Sequence, residues 1–248
     1  MDLKEFFRQH PKAAIAFSGG VDSSYLLYAA LQCGADVRAY YVKGAFQPQF
    51  ELDDAQCLAR DIHAPMTVLR ADVLRDETVT ANPANRCYYC KKVVFSSIAQ
   101  AALADGYTLL LDGTNASDDA GDRPGMRALQ ELQVLSPLRL CGLTKPEIRR
   151  LSKEARLFTW DKPAYACLAT RIPTGEKITA EKLSATESAE GELFAMGFTD
   201  FRVRWYAGAA RLQFPAVQLP RVLERREEIL TKLKKYYPAV LLDLEVRG

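Results

Sequence analysis

The chain has 248 residues, 48% of them hydrophobic, enough for one large or two small globular domains with a real core. A net charge of +2 excludes a strong bias toward polyanions. No apolar run approaches the ~20 residues of a membrane span, and Met1 to Phe7 lacks a signal-peptide pattern. A cytoplasmic, reducing location is therefore expected, with the six cysteines as thiols or ligands rather than disulfides.

Residues 1 to 12 read as a short amphipathic helix with Leu3, Phe6 and Phe7 inward. Ala13 to Phe17 is an apolar run, a short buried strand. Ser18, Gly19 and Gly20 break it, and apolar positions return at helical spacing from Val21 through Tyr25, Leu26, Ala29, Ala30 and Cys33. Glycines let the backbone turn sharply and approach a ligand. The first amides of the helix lack internal partners, so loop and helix end together form an anion site suited to phosphate. Ser18 and Ser23 add hydroxyl donors. Asp22 repels a bare phosphate and points instead to a metal bridging phosphates. A plain strand-to-helix turn is the simpler alternative.

Val37 to Val42 reads as a second strand, Gln49 to Asp61 as a helix and Met66 to Leu69 as a third strand. This alternation predicts an α/β fold with a doubly wound parallel sheet, which binds ligands beyond its strand C-termini. A turn-rich loop, Asn82 to Arg86, leads into Cys87-Tyr88-Tyr89-Cys90-Lys91-Lys92 and a helix to about Ala104. Thr108 to Leu111 is a strand followed by Asp112-Gly113-Thr114-Asn115, a second strand end expected at the same crevice. Ala116 to Gly125 is either a solvated loop or a flap with Arg123 toward phosphate. Val134 to Leu138 reads as a fifth strand, and Thr144 to about Ala155 as a helix with Pro146 in its first turn. Trp160 to Pro163 interrupts the pattern and marks a domain boundary. Beyond it, helices over Ala180 to Met196 and Val217 to Lys235 and strands over Phe201 to Tyr206, Arg211 to Phe214 and Ala239 to Val246 predict a small α+β domain.

Cys33 and Cys57 fall on apolar helix faces and read as small buried hydrophobes; Cys141 reads as structural. Cys87 and Cys90 form a C-x-x-C pair able to share a metal, with a redox dithiol or half a zinc site as alternatives. Cys167 is a third candidate. Three thiolates are few for structural zinc or an ordinary four-iron cluster, and would leave one iron open to an exogenous ligand such as sulfide. Lys91 and Arg171 flank these cysteines and favour their thiolates. Arg202 and Arg204, two apart on a strand, share a face that either grips a phosphate or is merely solvated.

The string Ser-Gly-Gly-Val-Asp-Ser resembles the pyrophosphate loop (SGGxDS) of the N-type ATP pyrophosphatases. The strings Cys-Tyr-Tyr-Cys-Lys-Lys, Leu-Asp-Gly-Thr-Asn, Asp-Arg-Pro-Gly, the run from Lys162 to Gly175 and Phe-Arg-Val-Arg follow in order. Together they resemble the LarE family, ATP-dependent sulfur transferases of nickel-pincer nucleotide biosynthesis. The resemblance implies an adenine nucleotide alpha hydrolase-like PP-loop domain over residues 1–160. It implies a C-terminal substrate and sulfur-transfer domain over 161–248. It implies ATP, Mg2+ and a four-iron, four-sulfur cluster. The substrate would be pyridinium-3,5-biscarboxylic acid mononucleotide, whose adenylylated carboxylate exchanges oxygen for sulfur. Ser18, Gly19, Gly20, Asp22, Ser23, Gly113 and Arg123 would contact ATP. Glu190, Arg202 and Arg204 would contact the mononucleotide. Cys87, Cys90 and Cys167 would be metal ligands, with Cys167, Asp22 and Lys91 acting in catalysis. Other family members sacrifice a single cysteine. A homo-oligomer follows, a hexamer in related proteins; the sulfur source stays open.

A tRNA thiolase of the same superfamily is the main rival. It would need a basic surface, and Arg221, Arg225, Arg226, Lys232, Lys234 and Lys235 interleave with Glu224, Glu227 and Glu228, which reads as an ion-paired helix. Nucleic acid is therefore not an expected partner. An amidating ligase and a zinc-bearing nucleotide sensor are further alternatives.

Overall fold

The computed structural model describes residues 1–118 and 124–247. The chain divides into two compact units, Met1–Val73 with Asn85–Lys162, and Leu74–Ala84 with Pro163–Gly248.

In the first unit, α1 (Leu3–Gln9) opens where Asp2 accepts a hydrogen bond from the Glu5 amide at 2.8 Å. It is followed by β1 (Lys12–Ala16), α2 (Val21–Gln32), β2 (Asp36–Lys43), α3 (Gln49–Asp61) and β3 (Met66–Arg70). A four-residue helix, α4 (Glu77–Thr80), belongs to the second unit. The first then resumes with α5 (Arg86–Ala104), β4 (Leu110–Leu111), α6 (Pro124–Glu131), α7 (Pro137–Leu140) and α8 (Lys145–Glu154). The strands are parallel in the order β3-β2-β1-β4, with Ile15 opposite both Ala39 and Leu111.

Strand alternation explains the layers. Ala13, Ile15 and Phe17 enter a core with Phe6, Leu26, Leu58 and Ile148, while Ala14 enters another with Phe95, Ile98 and Leu129. Both sheet faces are covered by helices, so the strands read as continuous apolar runs. This is the expected doubly wound sheet.

Two expectations are corrected. Val134 to Leu138 is not a fifth strand: Leu135 makes a single parallel bridge to Leu111, and Pro137 opens the turn of α7. Proline pre-sets a helical φ and has no amide for a ladder. The stretch expected as loop to Gly125 is helical at its last two residues, because α6 begins at Pro124. Arg123 lies outside the described residues.

The second unit contains α9 (Ala180–Ala195), β5 (Arg202–Tyr206), β6 (Ala209–Gln213), α10 (Leu219–Glu224), α11 (Arg226–Leu233) and β7 (Val240–Leu242). β5 and β6 are antiparallel, β6 and β7 parallel. Leu193, Phe198, Phe201, Val203, Leu212 and Phe214 form its core. The expected single helix over 217–235 is two, divided at Arg225, whose guanidinium donates to the Met196 carbonyl at 2.7 Å. Among the described residues no helix is long and apolar enough to cross a membrane.

Candidate functional site

β1 and β4 run side by side and end together. Their C-terminal loops line one cavity of about 300 Å3, with Ser18, Gly20, Asp22, Ser23, Lys91, Asp112 and Gly113 in its wall. The loop after β1 is closed by its own side chains. The Ser18 and Ser23 hydroxyls lie 3.0 Å apart, and Ser23 Oγ donates to Gly20 O at 3.2 Å. Gly19 has φ +71°, and a Cβ there would stand 2.9 Å from Ala55 Cβ. Only glycine satisfies both constraints. A Cβ on Gly113 would stand 2.9 Å from the Ser23 amide nitrogen. The two loops therefore touch backbone to backbone, and the N-terminus of α2 faces the cavity.

That helix end is prepared for an anion. Gly20 occupies the N-cap and, among the described residues, no side chain caps α2. Asp22, in the first turn, is paired through Oδ2 with Lys145 Nζ at 2.6 Å. Its Oδ1 is buried and has no hydrogen-bond partner among the described residues. Burial raises the Asp22 carboxyl above its ordinary value, more than the opposing Lys145 ammonium lowers it. A buried carboxylate oxygen without a donor suits a hard cation such as Mg2+. The donor chemistry thus fits the metal expected at Asp22.

The second unit holds a different arrangement. Glu190, on α9, is 1% exposed and receives Arg171 Nε at 2.8 Å and Arg171 Nη2 at 3.1 Å. It also accepts the Val203 amide at 2.9 Å and the Tyr165 hydroxyl. Arg202, itself buried, donates to Phe201 O and Ala164 O, both at 2.6 Å. Arg204 donates to Thr170 O at 2.9 Å and to the Gln213 side chain. Burial and the neighbouring Arg171 charge lower Arg202 to about 10.

No protein-family model matches the chain. It is 36% identical, over 98% of its own length and 92% of the relative's, to an uncharacterized protein of Synechocystis. It is 30% identical to the pyridinium-3,5-bisthiocarboxylic acid mononucleotide synthase of Lactiplantibacillus plantarum, over 94% of this chain and 86% of that one. The chain belongs to the LarE family. A shorter match, 25% identical over 41% of the chain and 36% of the relative, is to the tRNA-specific 2-thiouridylase MnmA of Fervidobacterium nodosum, consistent with the PP-loop superfamily.

The LarE-type site residues fall in two groups. Ser18, Gly20, Asp22, Ser23, Lys91 and Gly113 meet at one cavity of the first unit, with Gly19 shaping its loop. Cys167, Glu190, Arg202 and Arg204 belong to the second unit. Cys87 and Cys90 belong to the first, inside α5 rather than in the loop before it, on successive turns of one helix face. The six cysteines are thiols. Cys33 is exposed at the end of α2, not buried as expected, while Cys57 is half-buried and Cys141 packs against the sheet core. Among the described residues no three His, Cys, Asp or Glu side chains are grouped to hold a metal ion. A cysteine trio therefore rests on the resemblance and on thiolate chemistry.

One residue escaped the sequence reading. Lys145 sits in the first turn of α8, at the unfavourable, positive end of the helix dipole. A cation placed against that preference is the signal that marks it. Arg171 is 1% exposed and engaged by Glu190, and its charge also interacts with Cys167.

Proposed function

We propose that the chain is an ATP-dependent sulfur transferase that converts a carboxylate of pyridinium-3,5-biscarboxylic acid mononucleotide to a thiocarboxylate. Residues 1–160 act as the ATP pyrophosphatase domain and 161–248 as the substrate and sulfur-transfer domain. The observation that carries the nucleotide half is the buried Asp22 Oδ1, without a hydrogen-bond partner among the described residues, beside a helix N-terminus that no described side chain caps. Kinship with the Lactiplantibacillus synthase supports the substrate.

A carboxylate is a poor electrophile because its leaving group would be oxide. Its oxygen attacks the α-phosphorus of ATP, a P–O bond forms, and pyrophosphate leaves. The α2 amides, the hydroxyls of Ser18 and Ser23 and the Lys91 ammonium receive the charge that develops. Mg2+ held by Asp22 would supply further charge neutralisation on the departing pyrophosphate. Arg123 is assigned to the same phosphates. Sulfur then adds to the acyl carbon, the C–S bond forms, and AMP departs with the former carboxylate oxygen. Arg204, half-buried, offers Nη2 to the mononucleotide phosphate, near Arg202 and Glu190. Cys87, Cys90 and Cys167 would hold a 4Fe-4S cluster, which supplies the chemistry of a labile sulfide. Sacrifice of the Cys167 sulfur is the alternative source. The ion pairs Arg225–Glu228, Arg226–Glu227 and Lys232–Glu192 neutralise the basic helix that a tRNA thiolase would need.

The test is anaerobic protein with ATP, Mg2+ and the biscarboxylate mononucleotide, read by mass spectrometry for oxygen-to-sulfur exchange. Iron and exchange are expected to vanish together in Cys87→Ala, Cys90→Ala and Cys167→Ala, and to persist in Cys33→Ala, Cys57→Ala and Cys141→Ala. Zinc without iron and no ATP turnover would identify a nucleotide sensor. An iron-free wild type that loses one sulfur at Cys167 per turnover would establish the sacrificial route.

A further inference from the structure

Three guanidiniums converge on one short segment of backbone. Arg171 Nη1 donates to Ala166 O at 2.8 Å, Arg202 Nη2 to Ala164 O at 2.6 Å and Arg204 Nη1 to Thr170 O at 2.9 Å. Cys167 lies between the gripped carbonyls. Its own carbonyl accepts the Thr170 amide at 3.0 Å and the Thr170 hydroxyl at 2.8 Å. One carboxylate braces the set. Glu190 takes two bonds from Arg171 and one from the Val203 amide, and Val203 is the residue between Arg202 and Arg204 on β5.

We propose that Arg171, Arg202 and Arg204, braced by Glu190, are positioning residues that fix the backbone on both sides of Cys167 and so aim its thiol. The proposal rests on the reading of Cys167 as the residue that handles sulfur. The chemistry favours it over a phosphate grip as the main task of these side chains. A ligand grip presents open forks, whereas Arg202 closes both Nη atoms on carbonyls, Arg171 spends its donors on Glu190 and Ala166 O, and Arg204 spends Nη1 on Thr170 O. Arginine suits the role because its planar fork reaches two acceptors at once, as Arg202 does with Phe201 O and Ala164 O. Donors carrying charge hold a carbonyl more strongly than neutral ones. Ala164 and Ala166 are exposed, so the arginines restrain the segment from beneath.

The experiment uses the full chain without nucleotide or mononucleotide. Arg202→Lys and Arg204→Lys are compared with wild type by amide hydrogen exchange over residues 165–171. Alkylation of Cys167 by iodoacetamide, resolved by mass spectrometry, is read against Cys33 as internal reference. Exchange over the segment is expected to accelerate at least about tenfold, the factor for one charge-assisted hydrogen bond. The Cys167 alkylation rate should shift while that of Cys33 holds, and kcat for sulfur transfer should fall more than KM rises. Wild-type exchange and alkylation in both variants, with a raised KM for the mononucleotide, would overturn the proposal and leave the arginines as phosphate grips. If Arg202→Lys does not fold, Arg204→Lys, at a half-buried position, decides alone. Both substrate-free readings hold even where Cys167→Ala retains sulfur transfer, the result that instead defeats the proposed function.

Discussion

At the end of β1, among the described residues, Asp22 carries a buried oxygen with no partner and α2 starts without a side-chain cap. Around Cys167, by contrast, Glu190 has both oxygens engaged, and each of the three arginines closes on a backbone carbonyl. Both regions bury charge, yet they use it differently. The first leaves polar capacity open, which costs free energy unless a ligand takes it up. The second satisfies its polar groups internally and converts them into rigidity of a loop. A region built to bind is therefore expected to lose function before stability when it is changed. A region built to hold a loop is expected to lose stability first.

The largest effect should come from the second region. Glu190→Ala leaves Arg171 charged at a position where the side chain is 0% exposed. Removing one partner of a buried pair costs about 3–5 kcal/mol, to be read as a fall in the denaturant midpoint. A loss below ~1 kcal/mol would remove the contrast between the two regions. Next comes Asp22→Asn, which should lower pyrophosphate release at least ~10²-fold, the scale of removing a key electrostatic group, with no loss of fold. Unchanged release in this variant would take Asp22 out of the chemistry. A smaller effect is expected for Gly113→Ala. Its Cβ must displace the backbone of Ser23, and overpacking of this kind costs about 1–3 kcal/mol. Pyrophosphate release should fall with it, because the two loops share one cavity wall. Normal release in a stably folded Gly113→Ala would show that the contact does not shape the site.

These contrasts also explain what was legible in the sequence. The loop from Ser18 to Ser23 could be read because its parts are adjacent in the chain and its chemistry needs them so. The parallel sheet could be read because both faces are buried and the strands stand out as apolar runs. Lys145 could not be paired with Asp22, since 123 residues separate them and only its place in the first turn of α8 hints at a task. The arginine partners were hidden for another reason. Ala164, Ala166 and Thr170 act through backbone carbonyls, which carry no side-chain signature. Asn82 shows the same limit. A turn at Asn82-Pro83 was readable, but its Nδ2 bonds to Pro173 O at 2.7 Å and Glu176 O at 3.2 Å were not. The misread strand at Val134 to Leu138 followed apolar residues past Pro137, where the missing amide decides against a ladder.

The smallest expected effect is a pH dependence that separates stability from function at Asp22. Burial, outweighing Lys145, makes this carboxyl harder to ionise in the fold than in the unfolded chain, where 3.8 is ordinary. A raised folded value means that the folded state binds the proton more tightly. The stabilising contribution is therefore complete below 3.8 and is lost as pH rises through the raised value. Above it the fold carries an ionised, partly desolvated carboxylate. Asparagine imitates the protonated form at every pH. The stability of Asp22→Asn relative to wild type should consequently grow from acidic to neutral pH and then level off. Chemical denaturation of both proteins at pH 4, 5, 6 and 8 reads this directly. A flat difference would mean that Lys145 fully offsets the burial, and Asp22 would then be a structural ion-pair partner like Glu190. A rising difference, together with lost pyrophosphate release, would place Asp22 among groups that the fold retains at a stability cost for the sake of a bound cation.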